Sequence, residues 1–225
     1  MKRKQHRHAS RLGLIVPALF MAAAFSANAS PGSELNNIQK YRDLSAEWWQ
    51  WAIATGFATL EDPDGSACAE GQSGKTWFLA GTSGVAPAAR SCTVPHNKEL
   101  FFPLLNTATV LPPGDPETPE EARAGLQEFV DNACQLRVTL DGEPLIFDNA
   151  IVRVQSPLVK LDDPLELFPP GSKLIADGHW VGIRRLPNGE HTLAFHGATC
   201  IEDPDDASKL VVEFEVDVTY NLIIE

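Results

Sequence analysis

The histidine and aspartate side chains that lie in or beside turns are the residues of this chain best suited to acid–base chemistry. His96 follows a proline in the run Thr-Val-Pro-His, and His179 stands two residues after Asp177 in Ala-Asp-Gly-His-Trp. An imidazole changes charge near neutral pH, and a carboxylate can orient it as a general base. If the fold brings His96, Asp177 and His179 to one rim, they form a candidate catalytic site. Trp49 and Arg90 are the residues that we expect to line its pocket.

Short motifs that would define the chemistry directly are missing from the sequence after residue 29. The four histidines there form no HxH, HExxH or HxxxH pattern, so any metal site must collect ligands from distant segments. The run Gly-Thr-Ser83-Gly-Val lacks the final glycine of a Gly-x-Ser-x-Gly nucleophile turn. His191 and His196 fall on opposite faces of a predicted strand and are expected to be sheet residues. The motifs therefore assign no metal ligand.

The tryptophans suggest a different chemistry, which is stacking against sugar rings. Trp48, Trp49 and Trp51 occur within four residues, and Trp77 and Trp180 complete the set of five. An exposed flat row of these side chains would favour carbohydrate binding. Tryptophan more often serves the core, because its large ring gains most from burial.

Acidic turns are the only features that suggest a cofactor, and the cofactor would be calcium. The turns contain Asp62 and Asp64, Asp162 and Asp163, and Asp203 with the two aspartates that follow Pro204. Carboxylate oxygens are the ligands that Ca²⁺ prefers, although no turn matches an EF-hand loop. Solvated turns that bind no ion are the alternative.

Four cysteines, an even number, all follow residue 29, and this pattern predicts two disulfides in an exported protein. Three pairings are possible. We favour Cys68–Cys92 and Cys134–Cys200, because each pair would link neighbouring elements of the predicted fold.

Residues 1–29 have the three parts of a secretory signal peptide. Five basic residues come first, an apolar run from Leu12 to Phe25 follows, and Ala27-Asn28-Ala29 provides a small-x-small cleavage pattern. We therefore expect a secreted or periplasmic protein that begins near Ser30. The apolar run is short and interrupted by Pro17, so it is a poor membrane span, and no transmembrane segment is expected in residues 30–225.

The charge of the chain limits its partners. The leader holds five of the 18 Lys and Arg and none of the 30 Asp and Glu, which leaves a formal net charge of −17 for the remaining residues. An acidic surface of this kind repels nucleic acid and anionic lipid. Neutral ligands, cations and cationic partners remain possible, and the oligomeric state is not predicted.

The periodicity of apolar residues predicts two helices and several strands. Apolar residues at helical spacing predict a Trp-rich helix over 41–55, and Thr118, Pro119 and Glu121 form a capping-box start for a second helix over 119–134. After residue 136 the period changes to two. Asp141-Gly142 and Asn188-Gly189 are hairpin signals, and residues 212–222 alternate most clearly between apolar and polar.

We therefore predict a mainly β protein, with an antiparallel β-sandwich or jelly-roll-like domain over residues 30–225. The Trp-rich helix and the second helix would cover a sheet face or an open end. No repeat or change in composition marks a second domain.

A combination of local sequences resembles a family of exported bacterial proteins of unknown function. The combination consists of EWWQW at 47–51, GQSG followed by WFLAGT, CTVPHNKELFFPLLN at 92–106, ADGHW at 176–180 and GEHTLAFHG at 189–197. The resemblance implies export and brings no activity, so it assigns no role to any residue.

Three classes of function follow from these observations. The first is a binding or accessory module for a neutral ligand such as carbohydrate. The second is a hydrolase of the envelope or extracellular space with the His96, Asp177 and His179 site. The third is a structural assembly partner, which a long uncovered strand edge would favour.

Overall fold

The structure is a computed structural model that describes residues 31–84, 86–145 and 151–225. The predicted signal peptide over residues 1–29 lies outside the described residues. Within the described part, none of the helices has the length and apolar character that a membrane-spanning helix needs.

The described residues form three helices and ten strands. The helices are α1 (Pro31–Ala54), α2 (Ala58–Glu61) and α3 (Pro119–Asp131). The strands are β1 (Thr76–Phe78), β2 (Ala88–Val94), β3 (Glu99–Leu111), β4 (Ala133–Leu140), β5 (Glu143–Pro144), β6 (Ile151–Gln155), β7 (Val159–Lys160), β8 (Lys173–Ile183), β9 (Gly189–Asp203) and β10 (Asp206–Ile224).

The start of α3 confirms the predicted capping box. The Thr118 side chain accepts a hydrogen bond from the backbone N–H of Glu121, and the Glu121 carboxylate accepts one from the backbone N–H of Thr118. Two N–H groups that the first turn of a helix cannot satisfy are thereby paired.

The strands form two five-stranded sheets. Sheet A has the order β1-β3-β8-β6, and β7 pairs with the first residues of β8. Sheet B has the order β2-β10-β9-β4-β5. The mainly β, sandwich-like prediction is confirmed. Most strand pairs are antiparallel, as predicted, and two pairs differ, because β1 pairs β3 and β2 pairs β10 in parallel. Turn signals identify hairpin partners only, so they cannot reveal these non-hairpin pairings.

The inner faces of both sheets meet in the main core, where Phe102 of β3 packs on Phe195 of β9 with ring centroids 4.7 Å apart. Helix α1 covers the outer face of sheet A and places Trp48 against Trp180 of β8. Strand β8 is consequently buried on both faces, which explains why its sequence does not alternate.

Strand β10 shows the predicted alternation from Val216 to Leu222, but Val212, predicted on the buried face, is 46% exposed, because the pairing with β9 shifts between Val212 and Phe214. Val216, Val218 and Tyr220 are buried in the core, whereas Thr219 is exposed on the outer face of sheet B. The partner strand β9 runs antiparallel to β10 along nearly its whole length. Outward-facing side chains of these two strands therefore lie side by side on an open face.

Candidate functional site

The predicted trio of His96, Asp177 and His179 does not come together. Asp177 and His179 lie two residues apart on β8, where Asp177 is opposite Thr107 of β3. His96 lies in the exposed turn before β3, which begins at Glu99. Eight residues of β3 separate Glu99 from Thr107, a distance of roughly 26 Å at about 3.3 Å per residue. The expected convergence on one rim is wrong, because the strand register places the two segments far apart.

Asp177 takes part in a network that fastens α3 to sheet A. Its carboxylate is fully buried and accepts hydrogen bonds from Gln155 at 3.0 Å and from the Arg153 guanidinium at 3.1 Å. Arg153 also forms an ion pair with Asp131, at the end of α3. The charge of Asp177 is thus compensated inside the protein, as a buried carboxylate requires.

His179 lies beside the same network and is half-buried. Burial lowers the pKa of its imidazole, and the nearby Arg153 guanidinium lowers it further. The backbone of Val130 in α3 acts in the opposite direction and raises this pKa by a smaller amount. These contacts give His179 a packing role between α3 and β8.

Arg90 does not line an open pocket, because it is 3% exposed and its guanidinium donates to four backbone carbonyls. The acceptors are the carbonyls of Leu60, Asp62, Ala80 and Gly81, at 2.6 to 2.9 Å, and the Tyr220 hydroxyl lies 3.0 Å from Nη1. Arg90 therefore joins α2, the loop after it, the loop after β1, and β10. We assign it a structural role.

Trp49 is the one partly exposed tryptophan of the five, all of which lie in the described residues. Its ring packs edge-on against Trp48, with centroids 5.3 Å apart. The other four tryptophans are buried in the cores of the sandwich and of the α1 interface, so these side chains form no exposed row for sugar stacking.

Both predicted disulfides are present. Cys68 is bonded to Cys92 and Cys134 to Cys200, which accounts for every cysteine of the chain. The first links the loop after α2 to β2, and the second links β4 to β9. Two disulfides fit an oxidising, extracellular type of environment.

The acidic turns use their carboxylates to bind their own backbone. The Asp62 side chain accepts hydrogen bonds from the N–H groups of Gly65 at 3.0 Å and of Ala67 at 2.9 Å. Asp163 accepts one from Phe168 at 2.7 Å. Such bonds stabilise tight turns without an ion, so calcium binding there stays a prediction.

A different group of side chains lies on the outer face of sheet B. We call His196, Glu215 and Asp217 the His196 cluster, because one ligand atom from each lies within 4.8 Å of the others. His196 Nδ1 is 3.4 Å from Glu215 Oε1, and the Glu215 side chain is 48% exposed. Zinc bonds of about 2.0–2.2 Å need ligand atoms within about 4.2 Å. Small rotations of the two carboxylates would bring the cluster into that range.

The imidazole of His196 is poorly satisfied without an ion. Its Nε2 atom is buried and has no hydrogen-bond partner among the described residues. Its Nδ1 atom faces Glu215 at a distance longer than a good charge-assisted hydrogen bond. On its other side, His196 lies across from Arg137 of β4, whose guanidinium is hydrogen-bonded to Gln135.

A small cavity of about 90 Å³ adjoins the cluster. Glu215 and Asp217 form one wall, and Gly84, Ala86 and Pro87, from the loop before β2, form the other. The volume suits a few heavy atoms or several water molecules. The two carboxylates therefore face a confined space as well as the imidazole.

Motif analysis misses the His196 cluster because its members belong to two strands of a hairpin. Asp217 is directly opposite His196 in the β9–β10 register, and Glu215 precedes Asp217 on the same face. The sequence does indicate, from alternation, that His196 points outward on one strand and that Glu215 and Asp217 point outward on the other. Bulges in the hairpin shift the pairing of β9 with β10. The three side chains meet only because of the resulting register.

No protein-family model, curated protein or solved structure matches this chain. The resemblance to exported bacterial proteins therefore stays a prediction.

Proposed function

We propose that the protein is an exported binding module that holds a divalent transition-metal ion at His196, Glu215 and Asp217. The observation that carries the proposal is the cluster of one imidazole and two carboxylates on adjacent strands, with ligand atoms within 4.8 Å of one another. The Nδ1 atom of His196, which faces Glu215 without a close hydrogen bond, and the adjoining cavity support it.

The chemistry of the donors favours zinc or a similar ion over calcium. Imidazole nitrogen suits Zn²⁺, Cu²⁺, Ni²⁺ and Fe²⁺, whereas Ca²⁺ and Mg²⁺ prefer oxygen alone. The two carboxylates of Glu215 and Asp217 neutralise a dication, so the loaded site carries little net charge. This composition points to Zn²⁺ as the first ion to test.

Three protein ligands leave one position of a tetrahedral ion free. The cavity beside Glu215 and Asp217 gives a small ligand room to reach that position. Residues 30–225 carry a formal net charge of −17, which disfavours an anionic ligand. We therefore propose a neutral oxygen donor, such as a carbohydrate hydroxyl, as the ligand.

Export is part of the same proposal. The leader-like pattern of residues 1–29 and the two disulfides both support a secreted or periplasmic location. With all four cysteines in disulfides, no thiol competes with the cluster for a soft metal ion.

Calorimetric titration with Zn²⁺ tests the site. The titration uses the chain over residues 30–225, because His6 and His8 of the predicted leader form an HxH pair that would add a competing ligand set. We expect one ion per chain in this parent. His196→Gln, Glu215→Gln and Asp217→Asn should each weaken Zn²⁺ binding by at least about tenfold, the effect of losing roughly 1.4 kcal/mol of binding free energy. Affinity should also fall in acid, since the imidazole must be neutral to bind the ion.

His191→Gln is the matched control. His191 lies on the same strand as His196, and a carboxylate, Asp141, lies 2.8 Å from its Nδ1 atom. Among the described residues it is not part of a group of three possible ligands. We expect His191→Gln to leave Zn²⁺ affinity unchanged. Equal losses in this control, or parent-like binding in all three cluster variants, would show that Zn²⁺ binds only to scattered surface groups.

A further inference from the structure

The β9–β10 hairpin extends beyond the strands that flank it. Strand β4 pairs with β9 only as far as Thr199, and β2 pairs with β10 only from Val218 onward. Residues 201–213, which we call the β9–β10 arm, therefore have no flanking strand among the described residues. The arm is a two-stranded ribbon with open edges, and open edges are templates for another strand.

The base of the arm is held firmly on both strands. Cys200, the residue before the arm, is disulfide-bonded to Cys134 of β4. Phe214, the residue after it, packs against Phe129 of α3 with ring centroids 5.7 Å apart. These contacts fix the base of the arm in place. An edge that is already ordered loses less conformational entropy on binding than a flexible one.

The arm carries exposed apolar side chains at an unusual density. Leu210 is 65% exposed, Val212 is 46% exposed and Ile201 is 37% exposed. Leu210 and Val212 lie two residues apart, so they project from the same face of β10. Water-exposed leucine and valine beside a free edge offer anchors that a partner strand can cover.

The charges around these anchors select the kind of partner. The arm has five acidic residues against a single lysine, Lys209, which is already 2.8 Å from Asp206. A second copy of this acidic chain would be repelled, and the bulges in the hairpin also disfavour pairing with an identical edge. A cationic strand is the complement. The acidic residues are Glu202, Asp203, Asp205, Asp206 and Glu213.

We propose that the arm docks an extended, basic segment of another protein, which adds as a strand to the free edge of β10 over residues 206–213. Alternate apolar side chains of that segment cover Leu210 and Val212, and its Lys or Arg side chains pair with the acidic residues of the arm. Main-chain hydrogen bonds give affinity in this mode, and the side chains give specificity. This role is independent of the His196 cluster.

A short synthetic peptide of alternating Val and Lys is the probe, and a peptide of the same length with alternating Val and Glu is its control. Fluorescence anisotropy measures binding to the full chain. Hydrogen exchange then reports which backbone amides become protected. We expect the basic peptide alone to bind, and to protect amides within 206–213.

The double variant Leu210→Ser/Val212→Ser removes both anchors, and Ile223→Ser is the matched control. Ile223 lies on the same strand and is 37% exposed, but β2 and β9 flank it. We expect at least about tenfold weaker peptide binding in the double variant and none of that loss in the control. Thermal melts check that both variants stay folded at the temperature of the binding assay.

Two results would overturn the proposal. If the double variant binds the basic peptide as tightly as the parent, or protection is absent from 206–213, the peptide is bound only by general charge attraction. If sedimentation shows a dimer of the parent chain that the double variant loses, the occupant of the arm is a second copy.

Discussion

Gly197 of β9 lies directly against the backbone carbonyl oxygen of Leu104 in β3, which makes it the point of closest approach that we identify between the two sheets. A Cβ atom built on Gly197 would overlap that oxygen. Leu104 is the extra residue of a bulge, because Pro103 and Leu105 pair with consecutive residues of β8. The bulge leaves Leu104 outside the β3–β8 ladder, and its carbonyl meets the glycine of the opposite sheet.

Gly197→Ala should therefore be strongly destabilising. The added methyl group meets backbone on the opposite sheet, which cannot rotate away as a flexible side chain can, so we expect a loss of about 3 kcal/mol in the free energy of unfolding. Urea denaturation measures it. Gly125→Ala is the control, because Gly125 lies in α3 with open space around it and should gain about 0.5–1 kcal/mol. A neutral Gly197→Ala would show that the sheets separate more easily than the contact implies.

Arg90 gives a second test of how the fold is held together. Arg90→Met keeps the apolar part of the side chain but leaves buried carbonyls, among them those of Asp62 and Gly81, without the guanidinium donor. We expect a loss of about 3–5 kcal/mol in the free energy of unfolding, measured by urea denaturation. The exposed Arg137 donates only to Gln135 in the described structure, so Arg137→Met should change stability by less than about 0.5 kcal/mol. Similar losses in both variants would refute the role assigned to Arg90.

The comparison of Arg90 with the terminal strand shows what sequence patterns can and cannot predict. The inward and outward faces of β10 follow from alternation, because one face of that strand is buried and the other is solvated. The burial of Arg90 leaves no such trace. Its acceptors are backbone carbonyls, including those of Asp62 and Ala80, which lie in separate loops. Every residue has a backbone carbonyl, so the sequence cannot indicate which carbonyls will accept hydrogen bonds from Arg90. Only the folded backbone shows which ones do.

The two histidine sites differ for a related reason. The sequence predicts that His96 and His179 lie at one rim, because both are in or beside predicted turns. Nearness to a turn does not specify which end of a strand a residue occupies. The His196 cluster depends on the pairing of Asp217 with His196 across a hairpin with two register shifts. A shift of one residue would place Asp217 on the opposite face. Alternation therefore predicted the direction of each side chain, and the register decided which ones meet.

His191 should make stability depend on pH. Its pKa is raised above the usual value, chiefly by a hydrogen bond with Asp141, whose own pKa is lowered by the same contact. Because the folded state binds the proton more tightly, this stabilisation is fully present below the unfolded-state pKa of about 6.5. It is lost as the pH rises through the raised pKa. At the acid end it fades only when Asp141 becomes protonated, below its usual pKa of about 3.9.

Urea denaturation of wild type, His191→Gln, Asp141→Asn and the double variant isolates this pair as a double-mutant cycle. The coupling free energy between the two positions should be greatest near pH 5 and should disappear in mildly alkaline buffer. Asp141 also accepts a hydrogen bond from the backbone of Thr192, and the cycle removes that pH-independent contribution. A coupling free energy that stays constant across this range would mean that the pair is not an ion pair in solution.

Substitution of two adjacent residues of β10, Val216 and Asp217, should have very different effects on stability. Val216 is 4% exposed in the core between the sheets, and Asp217 belongs to the His196 cluster on the outer face. Val216→Asp places an unpaired carboxylate in the core and should cost at least about 4 kcal/mol or prevent folding. Asp217→Asn removes a metal ligand from the surface and should keep the melting temperature nearly constant.

Thermal melts with and without Zn²⁺ measure both effects in one experiment. A ligand that binds only the folded state stabilises it by about 2.7 kcal/mol at a hundred times its dissociation constant. Wild type should therefore melt at a higher temperature in Zn²⁺, whereas Asp217→Asn, which binds at least about tenfold more weakly, should gain at most about half of that stabilisation. Equal losses of melting temperature in Val216→Asp and Asp217→Asn would contradict the register of β10. If Zn²⁺ raises the melting temperature of Asp217→Asn as much as that of wild type, the metal site is contradicted. The register of β10 is not affected by that result, because it is tested by the loss of melting temperature in Val216→Asp.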